Sequence, residues 1–179
     1  MMLPDEILLH FVNQAAGQSV VLTPKRLQRL VYLLQTEGAT PLGYPFGISY
    51  YGPFSPALAK RLEYLASDFR LSWTRLPDGH IHIRPAESAP ALAPLPPSVA
   101  HAMTLILSHY GSMTLPALIV YTTAHFLYHR SHLHEFGPLL AQTRAYQGAL
   151  GSGLCQWAVT RVLFMAHNPL IPPPPSDKS

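Results

Sequence analysis

Proline is the residue that most narrows what this chain can fold into, because of where its copies stand. A proline inside a helix removes a backbone hydrogen bond and clashes with the preceding turn, so helices must fit between prolines or begin on them. Nineteen of the 179 residues are proline. Two of them, in Thr23-Pro24 and Ser55-Pro56, follow a residue whose hydroxyl can cap a helix. After the first pair, Leu27, Leu30, Val31 and Leu34 repeat at helical spacing until Gly38 stops the run. After the second, Leu58, Leu62 and Leu65 set a buried stripe with Lys60, Arg61 and Glu63 mostly outside it. An earlier helix over residues 5–16 is carried by Ile7, Leu8, Phe11 and Ala15, with Gly17 expected to close it in the left-handed conformation. Residues 39–54 hold Pro41, Gly43, Pro45, Gly47, Gly52 and Pro53, which is loop chemistry around one short extended stretch, Phe46 to Tyr51. There Gly52-Pro53 is expected to turn the chain and Ser55-Pro56 to launch the next helix.

The period changes after Asp68. Leu71 to Leu76 and His80 to Arg84, joined through Pro77-Asp78-Gly79, read as a two-stranded hairpin with Ile81 and Ile83 on one face and His80, His82 and Arg84 on the other. Helices followed by such a hairpin resemble a winged-helix arrangement. Residues 85–97, rich in proline and alanine, read as a strap between two subregions and not as a linker between free domains. A helical block follows over 98–168, with helices over 98–110, 114–129, 134–147 and 153–167, and then a proline-rich tail over 169–179. The expectation is one mainly α domain: a winged-helix-like part over 1–84, the strap, and the helical block.

Composition limits the function. Charged residues make up 12% of the chain, about half the usual fraction, so a face covered by a partner or by self-association into a homo-oligomer is expected. The net charge of +3 permits weak attraction to nucleic acid or to an acidic protein, without the basic blocks of a dedicated nucleic-acid arm. A single cysteine, Cys155, excludes an intramolecular disulfide and leaves too few thiolates for a zinc site built on cysteines. The most apolar run, Leu115 to Tyr128, is interrupted by Pro116, Thr122, Thr123 and His125 and falls short of the roughly 20 residues a spanning helix needs, so a cytoplasmic protein without membrane contact is expected.

Enzyme signatures are scarce. No serine sits in a Gly-x-Ser-x-Gly elbow, and the glycines of 148–153 follow no strand, so they read as a hinge and not as a phosphate cradle. Carboxylates are too scattered for a paired acid and base. Neither an enzyme nor a cofactor is expected. His125 and His129, four apart on one helix face, with His132 and His134 close behind, are weak metal-ligand candidates, as are His80 and His82 on one strand face. Lys25, Arg26 and Arg29 fall on the polar side of the second helix, Lys60 and Arg61 on the third, and Arg75 and Arg84 on the hairpin. In a winged-helix protein these would be the contacts to DNA, which gives a DNA-binding transcriptional regulator as the alternative function.

"LTPKRLQRLVYLLQTEG" (22–38) resembles the opening helix of the Panacea domain, also described as SocA-like or YwgA-like, and "YYGPFSPAL" (50–58) is similar to the aromatic-Tyr-Gly-Pro-x-x-Pro signature of the same family. "LSHYGSMTLPALIVYTTAH" (107–125) resembles its later Tyr-Gly, Ser or Thr, Leu, Thr-x-His progression. The resemblance covers about residues 5–130. It implies a non-enzymatic antitoxin-type protein that neutralises a cognate toxin, or another protein partner, by direct binding. Lys25, Arg26, Arg29 and the turn Tyr50, Tyr51, Gly52 and Pro53 are the expected partner-binding surface, with Tyr50 an aromatic anchor and Tyr51 the better candidate for burial.

Overall fold

Residues 4–172 are described by a computed structural model of the chain; the end of the expected tail, from residue 173 onward, lies outside the described residues. The described chain is mainly α, as expected, with seven helices and two small antiparallel hairpins in place of one. In chain order these are α1 (Pro4–Gly17), α2 (Pro24–Thr36), β1 (Gly47–Ser49), β2 (Gly52–Phe54), α3 (Pro56–Ser67), β3 (Leu71–Arg75), β4 (Ile81–Pro85), α4 (Pro97–Tyr110), α5 (Leu115–Arg130), α6 (Phe136–Gln147) and α7 (Ser152–His167). A single 3-10 turn, Gly148–Leu150, fills the break before α7.

The helix starts follow from local chemistry. The Thr23 hydroxyl accepts from the Arg26 amide at 3.2 Å and the Ser55 hydroxyl from the Leu58 amide at 3.3 Å, each with a proline in the first turn where no amide hydrogen is needed. Thr114 does the same for α5, accepting from Ala117 at 3.3 Å. The left-handed residue after α1 is Ser19 (φ 58°) and not the expected Gly17, and after α2 it is Ala39 (φ 46°), next to the Gly38 expected to stop the helix.

Helix α5 is the centre of the molecule. Leu118 to His125 are buried without interruption, which is what a helix covered on every side looks like. It packs on α6 and α7 on one flank and on α2 and β2 on the other. Helix α4 lies against α1 and α2, so the two subregions share one core. Among the described residues no single helix is long and apolar enough to cross a membrane; α4 and α5 reach that length only as a pair bent by 120° at the break between them.

Both hairpins bear on function. In the first, Ser49 pairs with Gly52, Ile48 with Pro53 and Gly47 with Phe54, so the turn is Tyr50-Tyr51, and Gly52-Pro53 already belong to the returning strand. This corrects the expected single extended stretch. Neither tyrosine takes a positive φ; the left-handed residue is Gly52 (φ 87°), immediately after them, as in hairpins whose strand twist is restored by a glycine bulge. The second hairpin matches its reading, with Trp73 opposite Ile83 and Gly79 (φ 85°) in the turn. Ile83 is buried and its amide donates to Leu22 O at 2.7 Å, which fastens the hairpin to the segment entering α2. The strap, residues 86–96, has no regular structure and is tied down by His10 at Ala93 O, 2.7 Å away.

Candidate functional site

The stretch entering α2 and the stretch around the first hairpin, 20 or more residues apart in sequence, fold onto each other. Gln28 makes the join: its side-chain nitrogen donates to Ser55 O and its side-chain oxygen accepts from Ser55 N, each at 3.0 Å and both buried. Arg29 donates from Nη1 to Lys25 O at 2.9 Å and from Nη2 to Tyr51 O. From the other flank Gln147, at the end of α6, donates to Tyr50 O at 2.8 Å and to Thr123 Oγ1 at 3.2 Å. Both carbonyls of the hairpin tip are therefore held from inside the molecule. The rings point out, with Tyr50 78% and Tyr51 57% exposed.

Between α2, the tip, α3 and Trp73 lies a groove of about 520 Å³. Tyr51, Phe54 and Trp73 form its aromatic wall, Ala59 and Leu62 of α3 face them, and the surface is almost entirely apolar. Lys25 and Glu63, both exposed, also line it, and the Lys25 ammonium sits 4.2 Å from the centre of the Tyr51 ring. A second, wider depression of about 920 Å³ lies on the far side of Trp73, between the second hairpin and the strap, with Phe69, Arg84 and Glu87 at its edge.

Of the expected partner-binding residues, Lys25, Arg29 and Tyr51 line the groove, while Gly52 and Pro53 are buried behind it and Tyr50 projects from the tip. Three expectations need correction. Tyr51 is not a core residue, because Gln147 and Arg29 fix its backbone in a turn whose rings have nowhere to go but outward. Arg29 is not on a polar face: it is 2% exposed, since the first hairpin packs over the start of α2, and burial lowers its pKa to about 10. Arg26 is half-buried and turned to the opposite side, donating to Gly111 O at 3.1 Å and Met113 O at 2.7 Å.

The cationic helix face expected for DNA is thereby reduced. Arg61 is paired with Asp5, and Arg75 donates to Gly79 O at 3.3 Å within its own hairpin turn. Lys25, Lys60, Arg75 and Arg84 are exposed, but on four different elements. Phe54, Trp73 and Gln28 were missed as site residues. Neither aromatic carried a signal for exposure: alternation puts Trp73 on the face of Leu71 and Ile83, both buried, and Phe54 lies beyond the extended stretch expected over Phe46 to Tyr51.

The histidines divide. His125 is buried, with Nδ1 hydrogen-bonded to the Tyr32 hydroxyl at 2.8 Å and Nε2 3.3 Å from Glu37 Oε1. Burial lowers its pKa to about 3, helped by His129, whose ring centre is 4.3 Å away. His132 and His134 are exposed in the segment after α5. Among the described residues no three His, Cys, Asp or Glu side chains come together in a group that could hold a metal ion, so the four candidates do not form a ligand set.

Glu37 is the hub of this buried network. Tyr110 and Tyr121 each donate to it at 2.5 Å, and the His125 ring nitrogen Nε2 lies 3.3 Å from Oε1. Burial pushes the Glu37 carboxyl up, and the two tyrosine bonds pull it partly back. The network joins the end of α2 to α4 and α5. No model of a known protein family matches this chain, and no curated protein does either.

Proposed function

We propose that this protein is a non-enzymatic binding protein of the Panacea antitoxin type, which captures a protein partner, a cognate toxin, through the groove beside the Tyr50-Tyr51 tip. The observation that carries the reading is the meeting of the two stretches that resemble the family: Arg29 and Gln28 of the first hold the backbone of the second, and the product of that join is an apolar groove walled by exposed aromatic side chains. Rigid aromatics on a fixed turn are good interface anchors, because they bury area with little entropy left to lose. Occlusion of the toxin would need no catalytic group, and the lysine on the rim would steer an acidic surface toward the groove.

The test is a growth assay in which the chain is co-expressed with the product of each neighbouring reading frame. One such product should arrest growth and be neutralised by the wild-type chain. Neutralisation should be lost in a Tyr51→Ala/Phe54→Ala double variant and kept in Phe164→Ala, an exposed aromatic on α7. Neutralisation that survives the double variant would remove the groove from the mechanism, and the absence of any toxic neighbour would remove the antitoxin reading.

A further inference from the structure

An apolar groove has no need of a buried cation in its wall, yet this one has Arg29. The side chain is 2% exposed, and its two terminal nitrogens serve the carbonyls of Lys25 and Tyr51, while Nε has no hydrogen-bond partner. None of the ion pairs among the described residues includes Arg29 or Lys25. Two positive charges thus lie one helical turn apart at one end of the groove with no carboxylate to answer them. The first turn of α2, which contains Lys25, holds no acidic residue either, although that is where the helix dipole favours one. Glu63 of α3 is the one carboxylate among the lining residues, so the lining combines two cations from α2, one acid from α3 and an otherwise mainly apolar surface.

A buried guanidinium with an unused N–H is a group that gains from an incoming anion and loses from an incoming apolar atom. Carboxylate is the anion whose planar shape fits the side of a guanidinium through Nε and Nη together. Arg29 and Tyr51 both line the groove, and the Tyr51 backbone is fixed through Arg29 and Ser49 while its ring is exposed and touched by the Lys25 ammonium, so a carboxylate would reach Nε by displacing the ring and not the turn.

We propose that the groove recognises a segment of the protein partner in which a carboxylate side chain stands next to an apolar one, the carboxylate at Lys25 and Arg29 and the apolar side chain between Tyr51, Phe54 and Trp73. This rests on the reading of the chain as a protein-binding module and adds the chemistry of what is bound. The aromatic wall supplies affinity for many sequences, and the two cations select among them.

The chain has two tryptophans, and one of them, Trp73, lies in the groove wall, so a Trp157→Phe background makes its fluorescence a local reporter. The probes are two peptides, acetyl-Leu-Phe-Glu-Gly-amide and the same peptide with Gln in place of Glu. The Glu peptide should shift the Trp73 emission and bind about tenfold or more tighter than the Gln peptide, the scale of one charge-assisted hydrogen bond. That preference should shrink to about twofold in Lys25→Met and in Arg29→Met. Lys25 is on the exposed rim, so its variant decides the matter if Arg29→Met does not fold, which circular dichroism reports. Equal affinity for the two peptides overturns carboxylate recognition and leaves groove binding standing. A preference that survives both variants overturns it too, by placing the selection elsewhere. Binding of neither peptide at millimolar concentration overturns both this inference and the groove as a peptide-docking site.

Discussion

Gly52 shows how much a single position has to reconcile. It carries φ 87°, a region in which a side chain is strained, and a Cβ built there would lie 3.1 Å from Thr122 Oγ1 and 3.3 Å from Ile119 O on α5. A left-handed residue with a side chain costs about 1–2 kcal/mol, and the close approach to a backbone carbonyl adds to it. Gly52→Ala should therefore destabilise the fold by about 1–3 kcal/mol, measured as a lower urea midpoint at unchanged slope. A midpoint equal to wild type would mean that the tip can move off α5 freely. The importance of Gly52 was legible in the sequence, but its role was not. A Gly-Pro pair reads as a turn, and only the pairing of Ser49 with Gly52 shows that the turn lies one step earlier, on the tyrosines. The same slip sent Tyr51 inward in the sequence reading, since a residue just before a turn is a fair candidate for burial and a residue within one is not.

Among elements, helix starts were legible and the joins between helices were not. A cap followed by a proline is local chemistry, and α2 and α3 begin where it says. The join of α2 to α3 depends on Gln28, which helical periodicity places only as a polar residue beside a leucine. Its side chain satisfies both backbone groups of Ser55 in a buried position, a partnership across 27 residues that no local pattern encodes. Gln28→Leu would fill the same space and leave that amide and carbonyl unpaired, at about 1–3 kcal/mol each. Ser55→Ala removes only the cap bond to Leu58 and keeps the bonds to Gln28, for about 1 kcal/mol. Chemical denaturation should therefore rank Gln28→Leu well below Ser55→Ala. The reverse order would show that the cap, and not the buried amide, holds the hairpin tip to α2. Arg29 was misplaced for a related reason: periodicity assigns a charged residue to the outer face, and it cannot see a second element lying over that face.

For the molecule as a whole, the apolar core was legible and the polar network inside it was not, because tyrosine and histidine at helical spacing look like any other members of an apolar stripe. Tyr32, Glu37, Tyr110, Tyr121 and His125 bring three helices to one buried point, and His125 makes that point sensitive to acid. Its pKa is lowered from 6.5 to about 3, so between those values the unfolded chain binds a proton there that the folded chain refuses. Stability from this group is complete above pH 6.5 and is lost as pH falls toward 3, at up to about 1.4 kcal/mol per pH unit. His129 is lowered as well, by burial and by His134, and acts in the same sense. Glu37 acts in the opposite sense: its raised pKa lets the folded state take up a proton first, so just above its ordinary value of 4.5 it offsets part of the loss. The steepest acid destabilisation is thus expected below pH 4.5, where Glu37 no longer discriminates and His125 still does. His125→Gln keeps a donor for Glu37 and removes the titration, so its stability should vary less with pH than that of wild type over this range. If equilibrium unfolding from pH 7 down to pH 3.5 gives two parallel curves, His125 is protonated in the native state and the network is held by an ion pair with Glu37 instead of a neutral imidazole.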